Sequence, residues 1–137
     1  MTTINDIKIL KIPKIHDTRG NLSVIEGEVI PFPIKRVYYL YDVPSGAERG
    51  GHSHLEQSEF LVALSGSFDV VLTDGNEQKT VTLKKPDEGL LIPHGIWREL
   101  NNFSSGSVCL VVASDVFDEA DYIRSYKAFQ LSKNRIS

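Results

Sequence analysis

Two clusters of spaced residues dominate the middle of this chain. Gly46, His52, His54, Glu59 and Gly66 are separated by five, one, four and six intervening residues, and Pro93, Gly95 and Asn102 follow as a second group. Side chains alternate along a strand, so His52 and His54 point to one face and, in a small barrel, into one pocket. Close to that second group the chain has the permanent cation Arg98. A guanidinium there argues against a full metal-ligand set and assigns the pocket to other chemistry.

The rest of the chain reads as strands. Short β-branched and aromatic segments recur between turn residues at 7–10, 22–26, 34–41, 60–64, 68–73, 79–83, 90–92 and 108–113, the pattern of a sandwich or barrel. All six prolines fall at segment edges, where a missing amide does least harm to a ladder. Asp74-Gly75 predicts a tight surface hairpin. In the tail, Asp118 predicts the cap of one helix carrying Tyr122, Ile123, Tyr126 and Phe129 as an apolar stripe. The two-part histidine pattern resembles the cupin signature. The expected fold is therefore all-β: a cupin/RmlC-like jelly-roll β-barrel with a short C-terminal helix, in one domain over residues 1–137.

Composition narrows the function. Net charge is −3, with no basic block, which argues against nucleic-acid and anionic-membrane surfaces. Lys35, Arg36 and Arg49 remain available to hold one small anion. Cys109 is the only cysteine, so an internal disulfide is excluded and a buried thiol is expected. The first ten residues show no signal-peptide pattern and no long apolar run, so a cytoplasmic location is expected.

Several residues bear chemistry. In the segment 34–41, alternation sets Lys35, Val37, Tyr39 and Tyr41 against Arg36, Tyr38 and Leu40. If the second set faces inward, Arg36 offers a cation to a phosphate and Tyr38 a phenol to a carbonyl oxygen, whereas tyrosines packed between sheets would be structural. His52, His54 and Glu59 form a donor set for Zn, Mn, Fe or Ni. The Arg98 guanidinium at the fourth position opposes a divalent ion, and no metal or other cofactor is expected. Acid-base chemistry is then the natural use of the histidines. His16 and His94 read as turn residues.

A more specific resemblance rests on five strings that occur in order: Arg19-Gly20-Asn21-Leu22, the run 33–39, Arg49-Gly50-Gly51-His52-Ser53-His54, Ile92-Pro93 leading to Trp97, and the run 113–124 ending Asp121-Tyr122-Ile123-Arg124. From about Ile7 to Phe129 the chain resembles the WxcM-like cupin family of sugar-nucleotide 3,4-ketoisomerases. The resemblance implies an isomerase acting on dTDP-4-keto-6-deoxyglucose, moving the ketone from C4 to C3 in deoxyaminosugar biosynthesis for surface glycans. It implies a homodimer and catalysis without metal. His52 and His54 match the family's histidine pair, one removing the C3 proton and one helping to reprotonate C4. Tyr38 joins them as a catalytic candidate, and Arg36, Arg49, Glu59 and Trp97 are substrate-binding candidates. Arg19 and Arg98 match positions that differ between members according to product epimer.

Three departures stand out: the pairing of Arg19 with Arg98, Glu59 where glutamine is usual, and Leu55-Glu56 where a basic pair is common. Two other readings stay open. One is a metal-dependent cupin enzyme using His52, His54 and Glu59, and the other a non-catalytic sugar-nucleotide-binding cupin.

Overall fold

The computed structural model describes residues 1–134. With strands numbered in chain order, one antiparallel sheet runs β1 (Lys8–Lys11), β9 (Glu88–Ile92), β6 (Glu59–Ser65), β11 (Val108–Ala113), β4 (Arg36–Leu40). The second runs β12 (Tyr122–Ile123), β5 (Arg49–His54), β10 (Trp97–Asn101), β7 (Phe68–Thr73), β8 (Gln78–Leu83). The strands β2 (Lys14–Asp17) and β3 (Gly20–Ser23) pair only with each other. Both large sheets contribute to one core, with Leu61, Leu90 and Val111 from the first meeting Phe68, Val70, Leu72 and Leu100 from the second. This is the jelly-roll anticipated from the sequence, with the short helix α1 (Tyr126–Ser132) near the end of the chain.

Side-chain alternation explains which residues face the core. On β7, Phe68, Val70 and Leu72 are sealed, while the residues between them are half-buried. Strand β6 is instead buried continuously from Glu59 to Ala63, because both of its faces are covered. Leu61 and Ala63 enter the core, and Phe60 and Val62 pack outward beneath Ile12, Ile25, Val29, Ile30 and Phe32. Gly89, opposite this outer layer, has no room for a Cβ because the Phe60 ring lies against it. Cys109 is wholly buried on β11, and burial pushes its thiol up to about 12.

Two local expectations need correction. Asp74-Gly75 is not a two-residue surface turn. The connection between β7 and β8 spans 74–77, and the buried Asp74 carboxylate accepts from the amides of Ile4, Asn76 and Glu77, each at 2.8 Å. Gly75 does take a positive φ of 93°, as expected of the dipeptide, but it is the Asp74 side chain that organises the turn and ties down the N-terminal segment.

The tail is also not one helix. Asp118 caps a single 3-10 turn at Glu119–Asp121, and Tyr122–Ile123 then form β12, pairing with His54 and Ser53 of β5. The helix starts later, with Ser125 as its N-cap. Aromatic and β-branched residues serve edge pairing as readily as a helical stripe, and here the free edge of β5 captured them. Of the predicted stripe, Phe129 is buried and Tyr126 lies over Trp97 on the outside of the barrel.

Candidate active site

Strands β4, β5, β6, β10 and β11, with β12 and the residue that follows it, surround a cavity of about 280 Å³. Its wall carries Arg36, Tyr38 and Leu40 from β4, Arg49, Gly50 and His52 from β5, Glu59 and Leu61 from β6, Arg98 and Leu100 from β10, Val111 from β11, and then Tyr122 and Arg124. Strands β4, β6 and β10 contribute alternate residues, so on β4 it is the Arg36, Tyr38, Leu40 set that faces inward. Val37, Tyr39 and Tyr41 are left exposed on the other side. Gly50 adopts φ +77°, a left-handed conformation that favours glycine, two residues before His52.

Polar contacts inside the wall centre on Glu59. Its Oε1 accepts from Arg98 Nη1 at 2.6 Å, and its Oε2 accepts from Tyr38 Oη at 2.8 Å and from Gln57 Nε2 at 2.9 Å. Arg98 also donates to the carbonyl of Ile96. The single phenolic proton of Tyr38 is thereby committed to a carboxylate, and burial together with Glu59 drives its pKa far upward. Tyr38 is thus not a free donor to a carbonyl oxygen. Arg36 Nη2 donates to Gln57 Oε1 and Tyr122 Oη, whereas its Nε is buried without a hydrogen-bond partner.

The histidines differ in access. Their Nε2 atoms lie 3.1 Å apart, as predicted for neighbours on one strand face, yet only His52 lines the cavity. His54 is completely buried behind it, with Nδ1 3.0 Å from Asp121 Oδ2. Burial, reinforced by Arg98, lowers His52 to about 2 and His54 to about 3, so both rings are neutral near pH 7.

His52, His54 and Glu59 do bring ligand atoms within 4.8 Å of one another. The set does not fit a divalent cation. Both Glu59 oxygens already serve three donors, one of them the permanent cation Arg98, so a metal would have to break a buried ion pair and sit beside the freed charge.

Two predicted binding residues are elsewhere. Trp97 points away from the cavity because it alternates with Arg98 on β10, and it packs against Tyr126 and Phe129 while its Nε1 donates to Glu99. Arg19 lies at the tip of the β2–β3 hairpin, almost fully exposed and paired with Asp17 at 2.6 Å, outside the cavity of its own chain. Glu56 is exposed and is not part of the wall. Sequence reasoning missed Gln57, Asp121, Tyr122 and Arg124 as site residues. The string ending Asp121-Tyr122-Ile123-Arg124 carried the resemblance, but only the pairing of β12 with β5 shows that three of the four reach the site.

The family described as WxcM-like, C-terminal (FdtA) matches residues 5–134. The chain belongs to this family. It is 45% identical over 124 residues, 90% of this chain and 89% of the relative, to a TDP-4-oxo-6-deoxy-alpha-D-glucose-3,4-oxoisomerase of Aneurinibacillus thermoaerophilus. Among solved structures, a 3,4-ketoisomerase from Helicobacter canadensis superposes with a TM-score of 0.92 at 43% identity, covering 94% of this chain and 98% of that one. A histidine-to-asparagine mutant of the Thermoanaerobacterium thermosaccharolyticum 3,4-ketoisomerase, in complex with TDP-4-keto-6-deoxyglucose, gives 0.93 at 38% identity and 96% coverage of both chains.

Proposed function

We propose that this chain is a sugar-nucleotide isomerase that converts dTDP-4-keto-6-deoxyglucose to a dTDP-3-keto-6-deoxyhexose, in deoxyaminosugar biosynthesis for surface glycans. One observation carries the reading: a neutral imidazole, His52, stands at the wall of a cavity whose lining includes four arginines and a single carboxylate. Arginine forks suit a diphosphate, and a neutral histidine is a competent base toward a proton made acidic by an adjacent ketone. The location expected for this work is the cytoplasm. No helix among the described residues is long and apolar enough to cross a membrane.

In the proposed reaction His52 takes the C3 proton, and the C3–H electron pair forms the C3=C4 double bond of an enediolate. A proton then returns to C4, while the hydroxyl proton on the C3 oxygen is exchanged for one on the C4 oxygen. The hydrogens balance and no oxidant is consumed. Because the Tyr38 hydroxyl already donates to Glu59, the donors left for the developing enolate oxygen are the other polar groups of the wall, the Arg36 guanidinium and the Tyr122 hydroxyl among them. Arg49 at the exposed end of β5 and Arg124 beyond β12 are placed to hold phosphates and set C3 against the imidazole.

The active unit in this proposal is a homodimer. The β2–β3 hairpin belongs to neither large sheet and exposes Ile15 and Leu22, and the edge strand β4 exposes Val37, Tyr39 and its neighbour Tyr41. Covering these apolar groups with a second copy is the economical use of them. Arg19, carried on that hairpin, would then serve a substrate in the partner's cavity.

The test is to incubate chelator-treated protein with dTDP-4-keto-6-deoxyglucose in deuterated water and follow the ring protons by NMR. Deuterium incorporation with a new C3 ketone is the expected result, and the couplings name the C4 epimer. Demonstrated binding with an unchanged spectrum would overturn the reading in favour of a binding protein.

A further inference from the structure

His54 is placed unusually for a residue expected to touch substrate. It is wholly buried, lies between His52 and Asp121, and does not line the cavity. Asp121 is itself held in place. It ends the 3-10 turn capped by Asp118, its Oδ1 accepts from the Glu56 amide at 2.8 Å, and its Oδ2 accepts from the Gln57 amide at 3.2 Å. The next residue, Tyr122, pairs in register with His54, so the β12–β5 ladder sets the carboxylate against the ring.

This arrangement determines where protons lie. An ionised carboxylate only accepts, so the proton between Asp121 and His54 belongs to His54 Nδ1. A neutral His54 then presents a bare Nε2, and the 3.1 Å contact with His52 Nε2 is satisfied by a proton donated from His52. Resting on the isomerase reading above, we propose that Asp121 is a positioning residue that acts through His54, holding its Nδ1–H tautomer so that Nε2 receives positive charge passed on from His52. When His52 takes the C3 proton at Nδ1, its Nε2 proton moves toward His54, whose growing charge lies between Asp121, 3.0 Å from its Nδ1, and Glu59, 3.7 Å from its Nε2. Asp121 never meets the substrate.

Asp121→Asn isolates this role. The carboxamide keeps the size of the group but has one acceptor oxygen for three donors. Of those donors only His54 Nδ1 can surrender its proton, by changing tautomer. The ¹⁵N spectrum of histidine-labelled wild-type protein is expected to show His54 protonated at Nδ1, and D121N is expected to show it protonated at Nε2. In the same variant kcat falls by about 10²-fold or more with KM changed by less than about threefold, as when a base is held in the wrong tautomer. Asp121→Glu restores the Nδ1–H signature and part of kcat.

Wild-type protein with His54 protonated at Nε2 overturns the proposal, and this result needs no variant to fold. D121N that turns over like wild type also overturns it, as does a D121N loss confined to KM and thermal stability. Failure of the wild type to isomerise dTDP-4-keto-6-deoxyglucose would remove the function reading instead, while the ring signature still decides what Asp121 does to His54.

Discussion

Arg98 Nη1 and Glu59 Oε1 meet at 2.6 Å with neither side chain more than 2% exposed, forming an ion pair sealed in the cavity wall. The sequence departure at Glu59 therefore has a structural meaning. The carboxylate neutralises the Arg98 guanidinium, and it also accepts the hydrogen bond of the Tyr38 hydroxyl.

Breaking that pair from one side strands a charge. Glu59→Leu is expected to lower unfolding free energy by about 3–5 kcal/mol at pH 7, measured by urea denaturation. The double variant with Arg98→Met should recover most of the loss. A single variant as stable as wild type would show that Arg98 finds solvent.

Because His52 is held far below the ordinary imidazole range, mainly by burial and then by Arg98, it remains a proton acceptor on the acid side of pH 6.5. The base is active when unprotonated, so a lowered pKa moves the acid limb of the rate profile downward. Accordingly, kcat/KM should stay flat from about pH 7 to about pH 5.5, where an unperturbed histidine base would lose most of its activity. His52→Asn should retain nucleotide binding and lose about 10²–10⁴-fold in C3 proton exchange, read by deuterium incorporation.

Asp74 offers a pH test of stability rather than of rate. Burial alone would raise its pKa, but the amides of Glu77, Ile4 and Asn76 outweigh this and hold the carboxyl below its ordinary 3.8. A folded-state pKa below the unfolded one means stabilisation that is complete above 3.8 and lost as pH falls through the folded value. Asp74→Ala should cost about 1–2 kcal/mol at pH 7, and the difference in melting temperature from wild type should narrow in strong acid.

Trp97 is a structural residue in this geometry. Trp97→Ala should destabilise by about 3–5 kcal/mol, because it empties the seat of Tyr126 and Phe129. The milder Trp97→Phe should leave nucleotide affinity, measured by calorimetry, within about twofold of wild type. A large loss of affinity in that variant would place the indole at the ligand after all.

Period-two alternation made much of the fold and site legible before any coordinates. It placed His52 beside His54 and grouped Arg36, Tyr38 and Leu40 on one face of β4, and the prolines marked the strand ends. The same rule, applied to β10, would have separated Trp97 from Arg98. What stayed hidden depended on contacts distant in the chain. Asp121 reaches His54 across 67 positions, held there by the pairing of the following residues, Tyr122 and Ile123, with β5. Asp74 was misread for a related reason: its partner, the amide of Ile4, is 70 positions away.

Cys109 gives the protein an internal clock. A thiol closed within β11, with its ionisation pushed to about 12, offers almost no thiolate to an alkylating reagent while the barrel stays shut. Since it is the chain's only sulfhydryl, the rate at which native protein is labelled counts the moments when the two sheets part, one molecule at a time, with no probe added to the chain.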